Sequence, residues 1–300
     1  MNKWILLMGA FMVMKLAHAK VVLPFTAASG VVEMNGKYLL ISDTDAVLYE
    51  VDKAGKLVNA YTVPWEELSD DPVTRKKKKP DFESLTFLPK HDGVGFQGLL
   101  LLPSFSKPNR VRAAYFKINK SSEIVTPPEM IDLTELEPKL KMHAAELNIE
   151  GVSFVGKKLS LFQRGNGKNN FNGVFEITVS AGDLITGSKI GKWPVKFKKI
   201  KLEKGFSITD ALDLGSVGIV LSACIEETEN TYDDGKILGS GLFLYKNGKT
   251  KKLKQFDGDL KIEGVTGTYN KKAKKLSLVM VDDPDDHRKK SFFLEMEIAL

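Results

Sequence analysis

Asn148-Ile149-Glu150-Gly151-Val152-Ser153-Phe154 opens on an order of residue types that recurs elsewhere in the chain: apolar, acid, small, apolar, hydroxyl. Asp81-Phe82-Glu83-Ser84-Leu85-Thr86-Phe87 and Lys261-Ile262-Glu263-Gly264-Val265-Thr266-Gly267 keep that order in full. Two weaker members complete the series: Phe206-Ser207-Ile208-Thr209-Asp210-Ala211, with a shorter acid, and Ala28-Ser29-Gly30-Val31-Val32, which has no acid. The five openings fall near residues 29, 83, 150, 210 and 263, at intervals of 54, 67, 60 and 53. Such intervals lie a little above the roughly 40 to 50 residues of a propeller blade, and the surplus belongs in loops.

Each opening is followed by three more strand-like runs, separated by turn-forming clusters of Gly, Asn, Asp and Lys. The third unit reads as strands at 149–154, 159–162, 174–179 and 193–200, and the first at 31–34, 38–41, 46–51 and 57–63. Asn35-Gly36 between the first two runs is a strong hairpin signal. The last unit supplies only 262–268, 276–281 and 292–298 before the chain ends. The unassigned run 21–25 can complete it, closing the ring and covering a sheet edge. These patterns predict an all-β protein: a single five-bladed β-propeller of four-stranded blades over residues 20–300, closed by its N-terminal strand. A β-sandwich also has many short strands, but a fivefold recurrence is foreign to it. One helix is expected, over 134–142, opened by a capping box at Thr134 and Glu137.

Residues 1–19 read as a secretory leader: Lys3, an apolar core over 4–14, and a small-x-small cleavage site at Ala17-His18-Ala19. Cleavage after Ala19 predicts a periplasmic or secreted protein, and no segment has the 18 or so apolar residues of a membrane span. The single cysteine, Cys224, excludes an intramolecular disulfide, so stability must come from a buried core. Residues 20–300 carry 42 basic and 38 acidic residues, a mild excess that names no partner and gives no ground for nucleic acid. The densest run, Arg75 with Lys76 to Lys79, reads as a solvated loop before Pro80, or as a contact for anionic polymer or lipid headgroups.

In a propeller the first strand of each blade lines the channel, so Glu83, Glu150, Asp210 and Glu263 are expected around one mouth of it. Antiparallel pairing returns the end of the second strand to the same face. The loops there hold Ser42-Asp43, Ser104 to Ser106, Gln163-Arg164-Gly165-Asn166, Glu226-Glu227 with Thr231 to Asp234, and Asp282-Asp283 with Asp285-Asp286. Carboxylates from several strands suit a hard cation such as Ca²⁺, making Glu83, Glu150, Asp210 and Glu263 candidate ligands. The same acids also suit a structural role, accepting backbone N–H groups or an arginine where blades meet. Arg164, among Gln163, Asn166 and Gly167, either clamps a phosphate or carboxylate or bridges to the acids. Asp282 and Asp283 belong to a segment with the composition of a calcium loop, without EF-hand spacing, and a solvated turn is the other reading. His91, His143 and His287 lack zinc spacing, and nucleophile-elbow and phosphate-loop motifs are absent.

The strand openings at Asp81-Phe82-Glu83 and Asn148-Ile149-Glu150, with Leu161-Phe162-Gln163-Arg164-Gly165-Asn166 and the segment from Glu226 to Gly235, resemble an uncharacterised family of secreted bacterial β-propellers. More distantly they are similar to phytase-like and esterase-like propellers and to the gluconolactonase and strictosidine synthase group. That similarity implies a metal in the channel, held by acidic and amide side chains at Glu83, Glu150, Asp210 and Glu263. The first blade departs from it, with Gly30 near the place of an acid. Two functions follow. One is a binding propeller whose acidic mouth takes a small anionic ligand or a metal ion, with Arg164, Asn166, Gln163, Glu226, Asp282 and Asp283 as contacts. The other is a calcium-assisted hydrolase of a phosphoester, ester or lactone, with Glu150 or Glu226 as base and Arg164 stabilising developing charge.

Overall fold

A computed structural model describes residues 20–90, 95–166, 171–227, 235–285 and 289–300. The segment 1–19 expected to be a leader, His91, Gly167, Thr231 to Asp234, Asp286 and His287 lie outside the described residues. Local turn chemistry sets the hairpins: Asn35 and Gly36 both have left-handed φ, 54° and 74°, the twist a two-residue connection needs. Asn247-Gly248 repeats it with 52° and 76° in the fourth blade.

The strands form five four-stranded antiparallel sheets. Blade I is Ala28–Met34, Lys37–Ser42, Val47–Val51 and Leu57–Thr62. Blade II is Phe82–Pro89, Phe96–Pro103, Arg112–Lys117 and Glu129–Asp132, and blade III is Ile149–Val155, Lys158–Gln163, Gly173–Thr178 and Val195–Lys199. Blade IV is Phe206–Asp213, Ile219–Glu227, Lys236–Lys246 and Lys249–Asp257. Blade V is Ile262–Asn270, Lys275–Asp282 and Phe292–Ala299, completed by Lys20–Val22. The closing strand pairs Lys20 with Leu294 and Val22 with Phe292. It ends sooner than the apolar run because Pro24 has no N–H for the ladder. Two further bonds, from Leu23 N to Ser291 O at 2.8 Å and from Ser291 N to Phe25 O at 3.1 Å, continue the attachment. The inner strands touch in cyclic order, and each interface between neighbouring blades holds its own buried apolar cluster.

All five inner strands share one irregularity. Pairing skips a residue between Ala28 and Gly30, Phe82 and Ser84, Ile149 and Gly151, Ile208 and Asp210, and Ile262 and Gly264. The bulged residues are therefore Ser29, Glu83, Glu150, Thr209 and Glu263, and a bulge re-aims the side chain it carries. The next position is where inner strands approach most closely. A Cβ on Gly151 would lie 2.9 Å from Ala211 N, and one on Gly264 would lie 3.0 Å from the Cα of Gly30. The recurring acid-then-small pair thus combines a bulge with a backbone contact.

Two local expectations are corrected. The helix near residue 134 is Glu137–Lys141, its N-cap is Leu136, and no capping box forms. Thr134 Oγ1 instead donates to Asp132 Oδ1 at 2.6 Å, which also accepts Thr134 N at 2.9 Å. The basic run is not a solvated loop: Pro72–Lys78 is a helix capped by Asp71, whose carboxylate accepts Thr74 N. Lys79, just beyond it, is 7% exposed. A third short helix, Ala181–Thr186, starts at Ser180 and stops at Gly187 with φ 62°.

Candidate functional site

The bulges and the ends of the second strands meet at one mouth of the channel, around a cavity of about 510 Å³. Glu83, Glu150 and Glu263 line it, as do Arg164, Asn166, Glu226 and Asp283. Gln163, Asp210 and Asp282 do not. Gln163 Oε1 accepts Asn148 N at 3.1 Å, and in the matching place of blade V Asp282 Oδ1 accepts Lys261 N at 2.8 Å. Both are struts beneath the mouth. Asp210 sits one position past the bulge, where other blades have Gly30, Ser84, Gly151 and Gly264. Its two oxygens accept Ala211 N at 2.7 Å and Val265 N at 2.8 Å, joining blade IV to blade V.

Thr209, not Asp210, is the register partner of the three glutamates. Its hydroxyl donates to Ile262 O, the residue before the bulge of the next blade, at 2.5 Å. Ser29 does the same to Phe82 O at 2.6 Å. Two bulge positions are therefore hydroxyl latches, and three are carboxylates.

Four buried bases pair with carboxylates around the mouth, and two of them, Arg164 and Lys261, reach bulge glutamates. Arg164 Nη2 reaches Glu226 at 2.6 Å, while Nη1 lies 3.3 Å from Glu150 and 3.7 Å from Glu263. These distances are those of the bridge, one of the two roles the sequence leaves open for Arg164. Lys261 spans Glu263 at 2.9 Å and Asp285 at 2.7 Å. Lys79 spans Asp43 and Asp81, and Arg110 holds Asp81 at 2.6 Å and Ser106 Oγ at 2.7 Å. Asn148 Nδ2 donates to Glu150 at 2.7 Å. Arg110, Asn148 and Lys261 escaped the sequence reading. For Asn148 and Lys261 the signal was the polar residue two places before each glutamate, at Asp81, Asn148 and Lys261.

Glu83 differs from its neighbours. Among the described residues no base lies within ion-pair distance of it, while oxygens of Asp43, Asp81 and Glu83 all fall within 4.8 Å of one another. Burial raises its pKa well above the carboxylate range, Glu150, Asp81 and Asp43 add to the rise, and Lys79 opposes it. Burial also pushes Glu150 up to about 8 against the pull of Arg164, with Glu263 adding to the rise. At Asp81 burial is more than offset by Lys79 and Arg110, which hold the carboxyl low. Nine carboxylates and six bases line the cavity, so full ionisation leaves three negative charges uncompensated. Among the described carboxylates of the cavity, Asp43 Oδ1 and Glu263 Oε2 are buried without a hydrogen bond, and Glu263 Oε1 has only its ion pairs to Lys261 and Arg164.

No curated protein matches the sequence. Among solved structures, the chain is similar to the calcium-binding protein regucalcin from Agrobacterium tumefaciens, at 9% identity over 94% of this chain and 95% of that one, TM-score 0.43. It is also similar to a putative glycosidase from Bacteroides thetaiotaomicron, at 12% identity over 90% and 86%, TM-score 0.42. A virginiamycin B lyase from Staphylococcus aureus matches at 12% identity over 90% of this chain and 67% of the lyase, TM-score 0.37. This chain spans 61% and 57% of two further, longer matches. Residues 24–298 match the model of a family of unknown function, DUF6929, and the chain belongs to that family.

Proposed function

We propose that the channel mouth binds a divalent cation, calcium being the one its oxygen donors suit, through Glu83, Glu150 and Glu263 with Asp43 beside them. One observation carries the reading: Glu83 faces the cavity among other carboxylates and, among the described residues, has no base at contact distance. Glu83 is half-buried, and a desolvated carboxylate in that position takes either a proton or a cation. Calcium accepts six to eight oxygens in flexible geometry, so carboxylates, the Asn148 and Asn166 amides and water suit it. Asp43 Oδ1 and Glu263 Oε2, buried without hydrogen bonds, fit the same need. Asp210 leaves the candidate ligand set, because both its oxygens serve backbone N–H groups. The uncompensated negative charge disfavours a small anion by itself; an anionic ligand would enter through the cation or at Arg75 and Lys76 on the rim.

Calorimetric titration of residues 20–300 with CaCl₂ tests this. Saturable binding in the wild type that disappears in Glu83→Gln is expected, and the absence of heat at millimolar calcium overturns it. The hydrolytic reading has one supporting observation: Glu150, pushed up to about 8 beside Arg164, has the pKa of a base or acid working near neutrality. Turnover of phosphoester, ester or lactone substrates that stops in Glu150→Gln would support it. We propose export as well, because residues 1–19 have the residue pattern of a secretory leader, and N-terminal sequencing of the mature chain, expected to begin at Lys20, checks it.

A further inference from the structure

The edge of blades III and IV carries a concentration of lysine that the channel mouth does not use. Residues 189–204 and 246–254, which include or overlap the outer strands of these blades, contain twelve lysines, all exposed, against one acid, Glu203, and no arginine. Residues 20–300 hold 42 basic and 38 acidic residues, so everything outside those stretches, 30 against 37, is net negative. The two stretches adjoin: Thr250 Oγ1 donates to Lys201 O at 2.7 Å, and Lys252 Nζ reaches Glu203 at 2.7 Å. Among the described residues, carboxylates pair only with Lys252 and with Lys198, the latter through Glu176 at 2.7 Å.

Lysine on an edge strand guards against edge-to-edge pairing. That role does not account for this density, since the other outer strands manage with little of it. Leu57–Thr62 has no lysine, Glu129–Asp132 carries two acids, and Lys20–Val22 has one lysine.

We propose that this edge is a docking surface for an anionic lipid bilayer. Lysine heads are point charges on flexible stems, suited to a diffuse layer of headgroups, each adding about 1 kcal/mol near an anionic surface. Nucleic-acid recognition draws instead on arginine forks and exposed aromatic faces. The patch has no arginine; Trp193 within it is buried, and Phe197 and Phe256 are half-buried. The outer strands lie farthest from the channel, so docking by this edge leaves the mouth open.

Flotation of residues 20–300, which contain every strand of the ring, with vesicles of equal parts phosphatidylglycerol and phosphatidylcholine tests the proposal. Binding is expected at low salt, with none to phosphatidylcholine alone and release as salt is raised. Lys249→Gln, Lys251→Gln and Lys254→Gln combined should lower partitioning on the order of a hundredfold. The matching Glu triple variant should abolish it, and circular dichroism confirms folding of both. Lys77→Gln with Lys78→Gln, on the helix beside the mouth, should leave partitioning within severalfold of the wild type. Failure to bind anionic vesicles, or binding kept by both triple variants, overturns the proposal. Displacement from vesicles by duplex DNA at equal charge concentration would assign the surface to nucleic acid and overturn it equally.

Discussion

Replacing Glu83 by Gln should stabilise the calcium-free protein and destroy its response to calcium. The oxygens of Asp43, Asp81 and Glu83 lie within 4.8 Å of one another. At that separation and an effective dielectric of about 20, each like-charge pair costs about 3 kcal/mol. Lys79 offsets one pair's worth for Glu83, Glu150 adds further repulsion, and proton uptake relieves part of the remainder. A net gain of about 1–2 kcal/mol is left for the variant near pH 8, or a Tm higher by about 2–6 °C for a domain of this size. Calcium at a hundred times its Kd should add about 2.7 kcal/mol to the wild type and nothing to the variant. Differential scanning calorimetry with chelator and with calcium should therefore show the order of stability reversing between the two conditions. A variant less stable than wild type in chelator would refute the electrostatic argument. Equal calcium shifts in both proteins would refute the assignment of the ligand.

Three other perturbations probe the same network. Burial holds Glu150 and Asp210 up at about 8 and Asp282 at about 7, so the folded chain binds more protons than the unfolded chain above about pH 4. Calcium-free stability, measured by urea midpoint, should thus be fullest near pH 4–5 and fall as pH rises to about 8, and calcium should flatten the fall. Lys79→Met strands Asp43 and part of Asp81, and should cost about 3 kcal/mol without calcium; calcium should recover more in this variant than in wild type. Asp210→Ala leaves Ala211 N and Val265 N without acceptors and should cost about 2–4 kcal/mol while leaving calcium affinity unchanged. A loss of affinity there would return Asp210 to the ligand set.

The ring was legible because its signals are local and repeated. Asn35-Gly36 sets a hairpin with its own φ angles, and the acid-small pair at Glu150-Gly151 records both a bulge and a close approach of backbones. The closing strand was legible by elimination, since the run starting at Val21 had no other sheet to join. What the sequence hid is register. Asp210 looks like a shortened Glu150, yet the bulge falls at Thr209, and a one-residue offset along a strand turns a side chain to the other face. Lys79 was hidden for another reason: in a run of like charges nothing local says which member will be buried, and only the fold brings Asp43 and Asp81 to it. The helix at Pro72–Lys78 was announced by Asp71-Pro72, a capping residue followed by proline at the first turn, but the charge run masked it.

The five bulge positions also separate what the ring requires from what it carries. Ser29 and Thr209 each donate to the carbonyl before the next bulge, at 2.6 and 2.5 Å, so a hydroxyl satisfies that acceptor and ties two blades together. An ionised glutamate cannot donate, and burying it is costly. Folding alone therefore favours Ser or Thr at all five positions. Departures from local consistency collect where function is, and the three departures are Glu83, Glu150 and Glu263. Glu83→Thr makes the comparison direct, because the ring symmetry places Ile149 O where a hydroxyl at residue 83 would donate. The variant should exceed Glu83→Gln in calcium-free stability by about 1 kcal/mol, the worth of one intramolecular hydrogen bond. If the two variants unfold at the same urea concentration, the latch is not a general feature of the ring, and the glutamates lose their standing as departures from it.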